Sequence, residues 1–411
     1  MYIYKAGIVG AGKMGAEIAQ VISYAGIPVV IKDINDEVVK RAIDTARKIY
    51  KGRVDKGKLS PEEMESKMAL ISGTTTYEPF KDVDIVIEAV PENLELKRQV
   101  FKELDEATQP SAILASNTSA LSISALGAAT KKPEKVIGMH FFFPAHVMKL
   151  VEVIPSLATS QETIDDVISL SESLRKIPVR VNECPGFLIN RLLMPYLNEA
   201  VYCLQEGAAS AKEIDKAMVE FGFPMGPFTL VDNLGLDICA EVGKILYDGY
   251  GERMRPAALW NKLIEAKRFG VKSEAGFYDY KGVEEHSEGK ADTMLDNFIK
   301  EVQAQTKVTG TKFSVERLIL PMINEAALSF QENISTAQDI DLAMLAGLGF
   351  PQDKQGILHY ADAIGIDNVL KGLEDLRAKF SERFFPAYML KKMVNANHLG
   401  VKTKRGFFEY A

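Results

Sequence analysis

In the stretch GMHFFFPAHVMKLVEVI (Gly138–Ile154), His140 follows one apolar run and Glu152 lies inside another. Histidine titrates near neutral pH and can take the proton of a hydroxyl. A carboxylate on its other ring nitrogen fixes the tautomer and stabilises the imidazolium that forms. Two strands running past each other would bring His140 and Glu152 together. Near the start, Gly10-Ala11-Gly12-Lys13-Met14-Gly15 fits G-x-G-x-x-G. Gly10 permits a tight turn, Gly12 lets the backbone approach a pyrophosphate, and Gly15 lets a helix pack close to a strand. The phosphates would sit at a helix N-terminus, where unpaired N–H groups favour an anion. Asp33 closes the next apolar run. It suits a ribose 2′-hydroxyl and repels a 2′-phosphate, which favours NAD over NADP.

Strands alternating with helices must position these residues. Gly7–Val9 reads as a short strand, Ala16–Ala25 as a helix, and PVVIKD as a second strand. Val83–Val90 is a third, followed by a helix; AILAS ends a fourth at Ser116, and KVIGMHFF is a fifth. In open α/β sheets ligands bind outside the carboxyl ends of the strands, where the glycine turn, Glu92, Asn117, Ser119 and His140 would gather. Asn117 either shapes its own turn or touches the cofactor. The stretch Asp44–Ile71 is helical and basic. Most of its lysines read as a solvated face, while Lys51 and Lys58 are candidates for cradling the phosphates of an anionic substrate such as a coenzyme A thioester.

The second half repeats itself. RLLMPYLNEA (Arg191–Ala200) returns as RLILPMINEA (Arg317–Ala326), and GVKSEAGFYDY (Gly270–Tyr280) as GVKTKRGFFEY (Gly400–Tyr410). Leu, Ala and Met at helical spacing make the repeated unit mostly α. Asn190 precedes the first copy's core and Glu316 the second's, so the first copy is expected to serve the site and the second to be structural. The expected organisation is an α/β Rossmann-type domain over 1–183, a site-completing helical domain over 184–280, a polar linker over 281–292, and a degenerate helical copy over 293–411.

The 411 residues carry a formal charge of −7, with 47% hydrophobic and 26% charged residues. This speaks against a nucleic-acid partner, and no apolar run reaches the roughly 18 residues of a membrane span. Three cysteines without CxxC spacing fit reduced thiols in the cytoplasm. No secretory signal and no metal are expected. Of the other histidines, His146 reads as a loop residue without a carboxylate partner; His286, His359 and His398 read as surface or helical packing.

With the glycine turn, SNTSALSI, GMHFFFPAHVMKLVEVI, PGFLINRLLMPYLNEA and FGFPMGPFTLVDNLGLD in this order, the chain resembles the NAD-dependent (S)-3-hydroxyacyl-CoA dehydrogenases, in the form with a duplicated helical domain found in multifunctional β-oxidation proteins. The resemblance implies oxidation of (S)-3-hydroxyacyl-CoA to 3-ketoacyl-CoA, with His140 as base, Glu152 as the acid that orients it, and Ser119 and Asn190 as partners of the substrate oxygen. It implies NAD contacts at Asp33, Glu92, Lys97 and Lys272 beside Gly10, Gly12, Lys13, Met14 and Gly15. A fused or associated enoyl-CoA hydratase is compatible with it, as is a monomer or weak dimer in which the second copy takes a partner's place. The family commonly reads H-F-F-N-P. Phe143 replaces the asparagine here and cannot donate its hydrogen bond on the nicotinamide side. A dehydrogenase of a non-CoA hydroxy acid and a non-catalytic nucleotide-binding relative are the alternatives.

Overall fold

The computed structural model describes residues 2–282, 289–290 and 293–411. Two compact units divide the chain, Met1–Phe187 and Leu188–Ala411.

In the first unit, short runs of Val, Ile and Ala buried on both faces form parallel strands, whose crossovers are helices. Strands β1 (Ala6–Val9), β2 (Val29–Lys32), β3 (Ile71–Thr74), β4 (Ile85–Glu88), β5 (Ile113–Ser116) and β6 (Val136–Phe141) are parallel. Strand β7 (Leu150–Pro155) returns antiparallel to β6, and β8 (Ile177–Arg180) runs parallel to β7. Their order is β3-β2-β1-β4-β5-β6-β7-β8. The chain winds outward from β1 to β3 and resumes at β4 on the other side of β1, so the switch point lies between β1 and β4, where such sheets open a crevice. The covering helices are α1 (Lys13–Tyr24), α2 (Asp36–Asp55), α3 (Pro61–Met68), α4 (Leu94–Ala107), α5 (Ile123–Gly127) and α6 (Gln161–Ser173). The basic stretch is the α2–α3 hairpin. Asn35 caps α2, a Ser60–Glu63 capping box starts α3, and Arg47 pairs with Glu65 across the hairpin.

The second unit is helical. Its first series is α7 (Phe187–Gln205, which begins at the last residue of the first unit), α8 (Ala211–Phe221), α9 (Pro227–Leu234), α10 (Leu236–Tyr250) and α11 (Ala258–Glu265). After α12 (Thr293–Thr306), the same series recurs as α13 (Val315–Gln331), α14 (Ala337–Gly347), α15 (Ile357–Ile364), α16 (Ile366–Lys379) and α17 (Tyr388–Asn395). Each series closes its GF(Y/F) segment on a buried aspartate. Asp232 accepts from Phe277 N, Tyr278 N and the Tyr280 hydroxyl, and Asp362 from Phe407 N, Phe408 N and the Tyr410 hydroxyl. A Cβ on Gly276 or Gly406 would lie 2.0 Å from that aspartate, so only glycine fits.

Helices α7 and α13 exchange ion pairs. Arg191 donates to Glu325 and Glu332 at 2.9 and 2.8 Å, and Arg317 to Glu199 and Glu206, both at 2.7 Å. Each residue occupies its counterpart's place in the other series, so the exchange is reciprocal, as across a twofold axis. Most of the expected linker, residues 283–288 and 291–292 with His286, lies outside the described residues. Among the described residues, no helix is long and apolar enough to cross a membrane.

Candidate active site

Strand β1 runs into the glycine turn. Gly10 has φ +102°, and a Cβ there would lie 2.5 Å from Ala89 O; a Cβ on Gly15 would meet Gly10 O at 1.9 Å. Turn, strand and helix therefore touch backbone to backbone. Gly12 differs: a Cβ there would meet nothing within 4 Å, so space lies open over the turn. Helix α1 starts at Gly12 with no side-chain cap and no acid in its first turn, whereas Asn35 and Asn93 cap α2 and α4. Free N–H groups, the dipole and Lys13 fit a pyrophosphate there. Met14 packs against the core. Asp33, just past β2, accepts from Ala11 N at 2.6 Å and Ile34 N at 2.7 Å. The acid expected to read a ribose thus also pins the glycine turn.

Across the switch point, Glu88 ends β4 fully buried. It accepts from Lys97 Nζ at 2.7 Å, the Ser116 hydroxyl at 2.6 Å and Val90 N at 2.7 Å. Burial pushes its carboxyl above the usual range, and Lys97 opposes the shift. Lys97 is 1% exposed and also reaches Val90 O and, at 3.3 Å, Glu92. Lys97, expected to touch the cofactor, is thus held among Glu88, Val90 O and Glu92. Glu92 accepts from the Thr118 hydroxyl, from Ser119 N at 2.9 Å and from Ser119 Oγ at 3.3 Å. Asn117 does more than shape a turn: its Oδ1 accepts from Phe141 N at 2.8 Å and ties the end of β5 to β6. Glu88, Ser116 and Thr118 escaped the sequence reading. The available signal was a glutamate closing an otherwise aliphatic strand, IVIE.

The antiparallel register pairs His140 with Glu152, and His140 Nδ1 lies 2.8 Å from Glu152 Oε2. Glu152 is fully buried and His140 is 7% exposed. The rings of Phe142 and Phe187 stand 4.5 and 6.2 Å from the imidazole. Phe143 is half exposed, with Lys13 Nζ 4.0 Å above its ring, a cation–π contact to the glycine turn. His146 does have a carboxylate neighbour, contrary to expectation: Glu17 stands 3.4 Å from its Nδ1. Glu17 is buried in α1 and also accepts from Ala145 N, so it serves the loop after β6.

Lys51 and Lys58 are exposed on the α2–α3 hairpin, and Lys51 pairs with Asp55. In the second unit, Asn190 is half-buried on α7, and its counterpart Glu316 is exposed on α13. Lys272 pairs with Asp237 at 2.6 Å, and Lys402 pairs with Asp367 in the same way. The pair at Lys272, a residue expected on the cofactor side, thus recurs in the second series. His359 is a packing residue, stacked on Phe408 and bonded to Asp341.

A sequence model of the 3-hydroxyacyl-CoA dehydrogenase NAD binding domain matches residues 5–184, and one of that family's C-terminal domain matches residues 186–280 and again 313–410. The chain belongs to the 3-hydroxyacyl-CoA dehydrogenase family. Among relatives, the fatty acid oxidation complex subunit alpha of Shewanella amazonensis is 38% identical over 95% of this chain and 55% of its own length. The chain therefore spans about half the length of the curated relatives it matches. The structure of 3-hydroxybutyryl-CoA dehydrogenase from Escherichia coli superposes with a TM-score of 0.87 at 29% identity, covering 96% of this chain and 99% of that one. The (S)-3-hydroxybutyryl-CoA dehydrogenase of Ralstonia eutropha, 42% identical, gives 0.67 and covers 68% of this chain and 99% of its own. As in the rest of the 3-hydroxyacyl-CoA dehydrogenase family, an NAD-binding α/β domain precedes a helical C-terminal region.

Proposed function

We propose that the chain oxidises (S)-3-hydroxyacyl-CoA to 3-ketoacyl-CoA, in fatty acid β-oxidation or related short-chain CoA metabolism. The observation that carries the reading is the buried His140–Glu152 pair, 2.8 Å apart beside a glycine turn open for a dinucleotide. Bound NAD supplies the hydride acceptor. With Nδ1–H donated to Glu152, His140 keeps Nε2 free to take the proton of the 3-hydroxyl, and the carboxylate stabilises the imidazolium. Phe142 and Phe187 keep water off the ring. Ser119, held loosely by Glu92, turns its hydroxyl toward the substrate oxygen as the carbonyl forms, and the Asn190 amide is the second partner of that oxygen. Lys51 and Lys58 meet the coenzyme A phosphates. Three domains (1–183, 184–280 and 293–411) do this work in the cytoplasm. Relatives named as a fatty acid oxidation complex subunit and as a multifunctional β-oxidation protein are compatible with an enoyl-CoA hydratase fused to or associated with this chain.

The test is NADH formation from (S)-3-hydroxybutyryl-CoA. H140A is expected to lower kcat by about 10²–10⁴-fold while leaving the KM for NAD near its starting value. Undiminished turnover in H140A would remove the histidine from the mechanism, and no turnover in the unaltered protein would remove the activity.

A further inference from the structure

The first helical series holds a cavity of about 290 Å³, lined by Met194, Ala240, Gly243, Leu246, Met254 and Trp260 among others. The second series carries other residues at several of these places. At the places of Met194, Ala240 and Gly243 it carries Leu320, Leu370 and Leu373; at those of Met254 and Trp260 it carries Phe384 and Leu390. Leu373 is fully buried where the first series has Gly243. Nothing in the backbone demands glycine at 243. The residue lies inside α10, and a Cβ would stand 3.4 Å from the Met194 methyl, an ordinary contact. The second series has a pocket of its own, about 500 Å³, lined by Glu316, Leu320, Tyr360, Asn368 and Gly372 among others, so it is the residues lining the space, and not the presence of one, that distinguish the copy carrying Asn190.

The lining defines the ligand. Asn198 has both ends of its amide engaged: Oδ1 accepts from Ala257 N and Trp260 Nε1, and Nδ2 donates to Arg255 O. Burial pushes the Cys239 thiol up to about 12, leaving it neutral. Most of the remaining lining is thioether, aliphatic and indole surface, which suits methylenes; Lys244, Tyr247 and Asn261 complete the wall, with Lys244 paired to Asp248 and the Tyr247 hydroxyl bonded to Glu252. Asn190, Met194 and Asn198 stand on successive turns of one face of α7, so the cavity begins one turn from the amide assigned to the substrate oxygen. We propose that it receives the distal aliphatic end of the acyl chain, with Gly243 and Trp260 setting the accepted length. This rests on the reading of Asn190 given above. An apolar cavity of about 150 Å³ holds benzene, so by proportion this one takes a chain on the order of ten carbons.

The chain contains one tryptophan, Trp260, so its fluorescence reports on the cavity directly. Decanoyl-CoA is expected to shift its emission and butyryl-CoA to leave it unchanged, with neither shifting it in Gly243→Leu. In kinetics, each methylene housed is worth about fourfold. Gly243→Leu should keep kcat/KM for (S)-3-hydroxybutyryl-CoA within about twofold and lower that for (S)-3-hydroxydecanoyl-CoA by about 50-fold or more. Gly243→Ala should give a smaller loss of the same kind, and a melting temperature at or above that of the parent shows that each variant is folded. Parallel chain-length profiles in parent and Gly243→Leu would overturn the proposal, as would a Trp260 response identical for the two thioesters. Failure of the parent to oxidise even the four-carbon substrate sinks the dehydrogenase reading, while the Trp260 titration still decides the cavity.

Discussion

His140 and Glu152 occupy a directly opposed pair in an antiparallel ladder, where side chains on one face come closest. Full burial makes Glu152 costly as a charge unless something answers it, and the imidazole is that group. Replacing the carboxylate by an amide keeps the shape but loses the charge, and an amide nitrogen turned toward Nδ1 favours the wrong tautomer. E152Q is therefore expected to lower kcat by about 10²–10⁴-fold with the KM for NAD little changed. A purely structural role would instead show as a lower melting temperature with kcat retained. The pair was legible in the sequence because both residues interrupt apolar β runs. The arrangement behind Ser119 was not: Glu88, Lys97, Ser116 and Thr118 meet only once β4, β5 and α4 are assembled, and no local spacing announces a lysine buried between two glutamates.

At the scale of elements, the helical unit depends on aspartates that gather backbone donors. Burial raises the Asp232 carboxyl from its ordinary 3.8 to about 6. A raised acid binds its proton more tightly in the folded state, so between about pH 4 and pH 6 the folded chain holds more protons than the unfolded one. The contribution of Asp232 to stability therefore falls as pH rises through that window and is level above it. D232N removes this titration. Its melting temperature, compared at pH 4.5 and 6.5, should climb more steeply with pH than the parent's, and it should be less stable throughout by about 1–3 kcal/mol, because the amide has one acceptor oxygen for three donors and leaves at least one of them unanswered. An identical slope in both proteins would show that Asp232 titrates normally. The β1–α1–β2 unit was readable because glycine turn, helix period and β-branched run agree. Strands β3 and β8 were not, since both lie at the sheet edges, and Ser72 and Gly73 in β3 and Pro178 and Arg180 in β8 leave no apolar run to read.

Across the whole molecule, the reciprocal arginines show what the second helical series does. Arg317 and its two glutamates are almost wholly buried, whereas Glu332, one partner of Arg191, is 39% exposed. Arg383 still answers Glu199 when Arg317 is removed, but Glu206 loses its close charged partner, so R317M is expected to cost about 3 kcal/mol in urea unfolding and R191M less. The charges on one series are also self-complementary. Glu199 and Glu206 stand where Glu325 and Glu332 stand in the other, so two copies of the first series could exchange Arg191 for Glu199 as α7 and α13 do within this chain. The intact protein, with that face covered, is expected to sediment near its own 45.4 kDa. A chain ending after Tyr280 exposes the face and is expected to form a dimer, and E199R in that shortened chain should abolish dimerisation by setting arginine against arginine. A shortened chain that stays monomeric would mean that the covalent link, and not the complementarity of α7, holds the two series together.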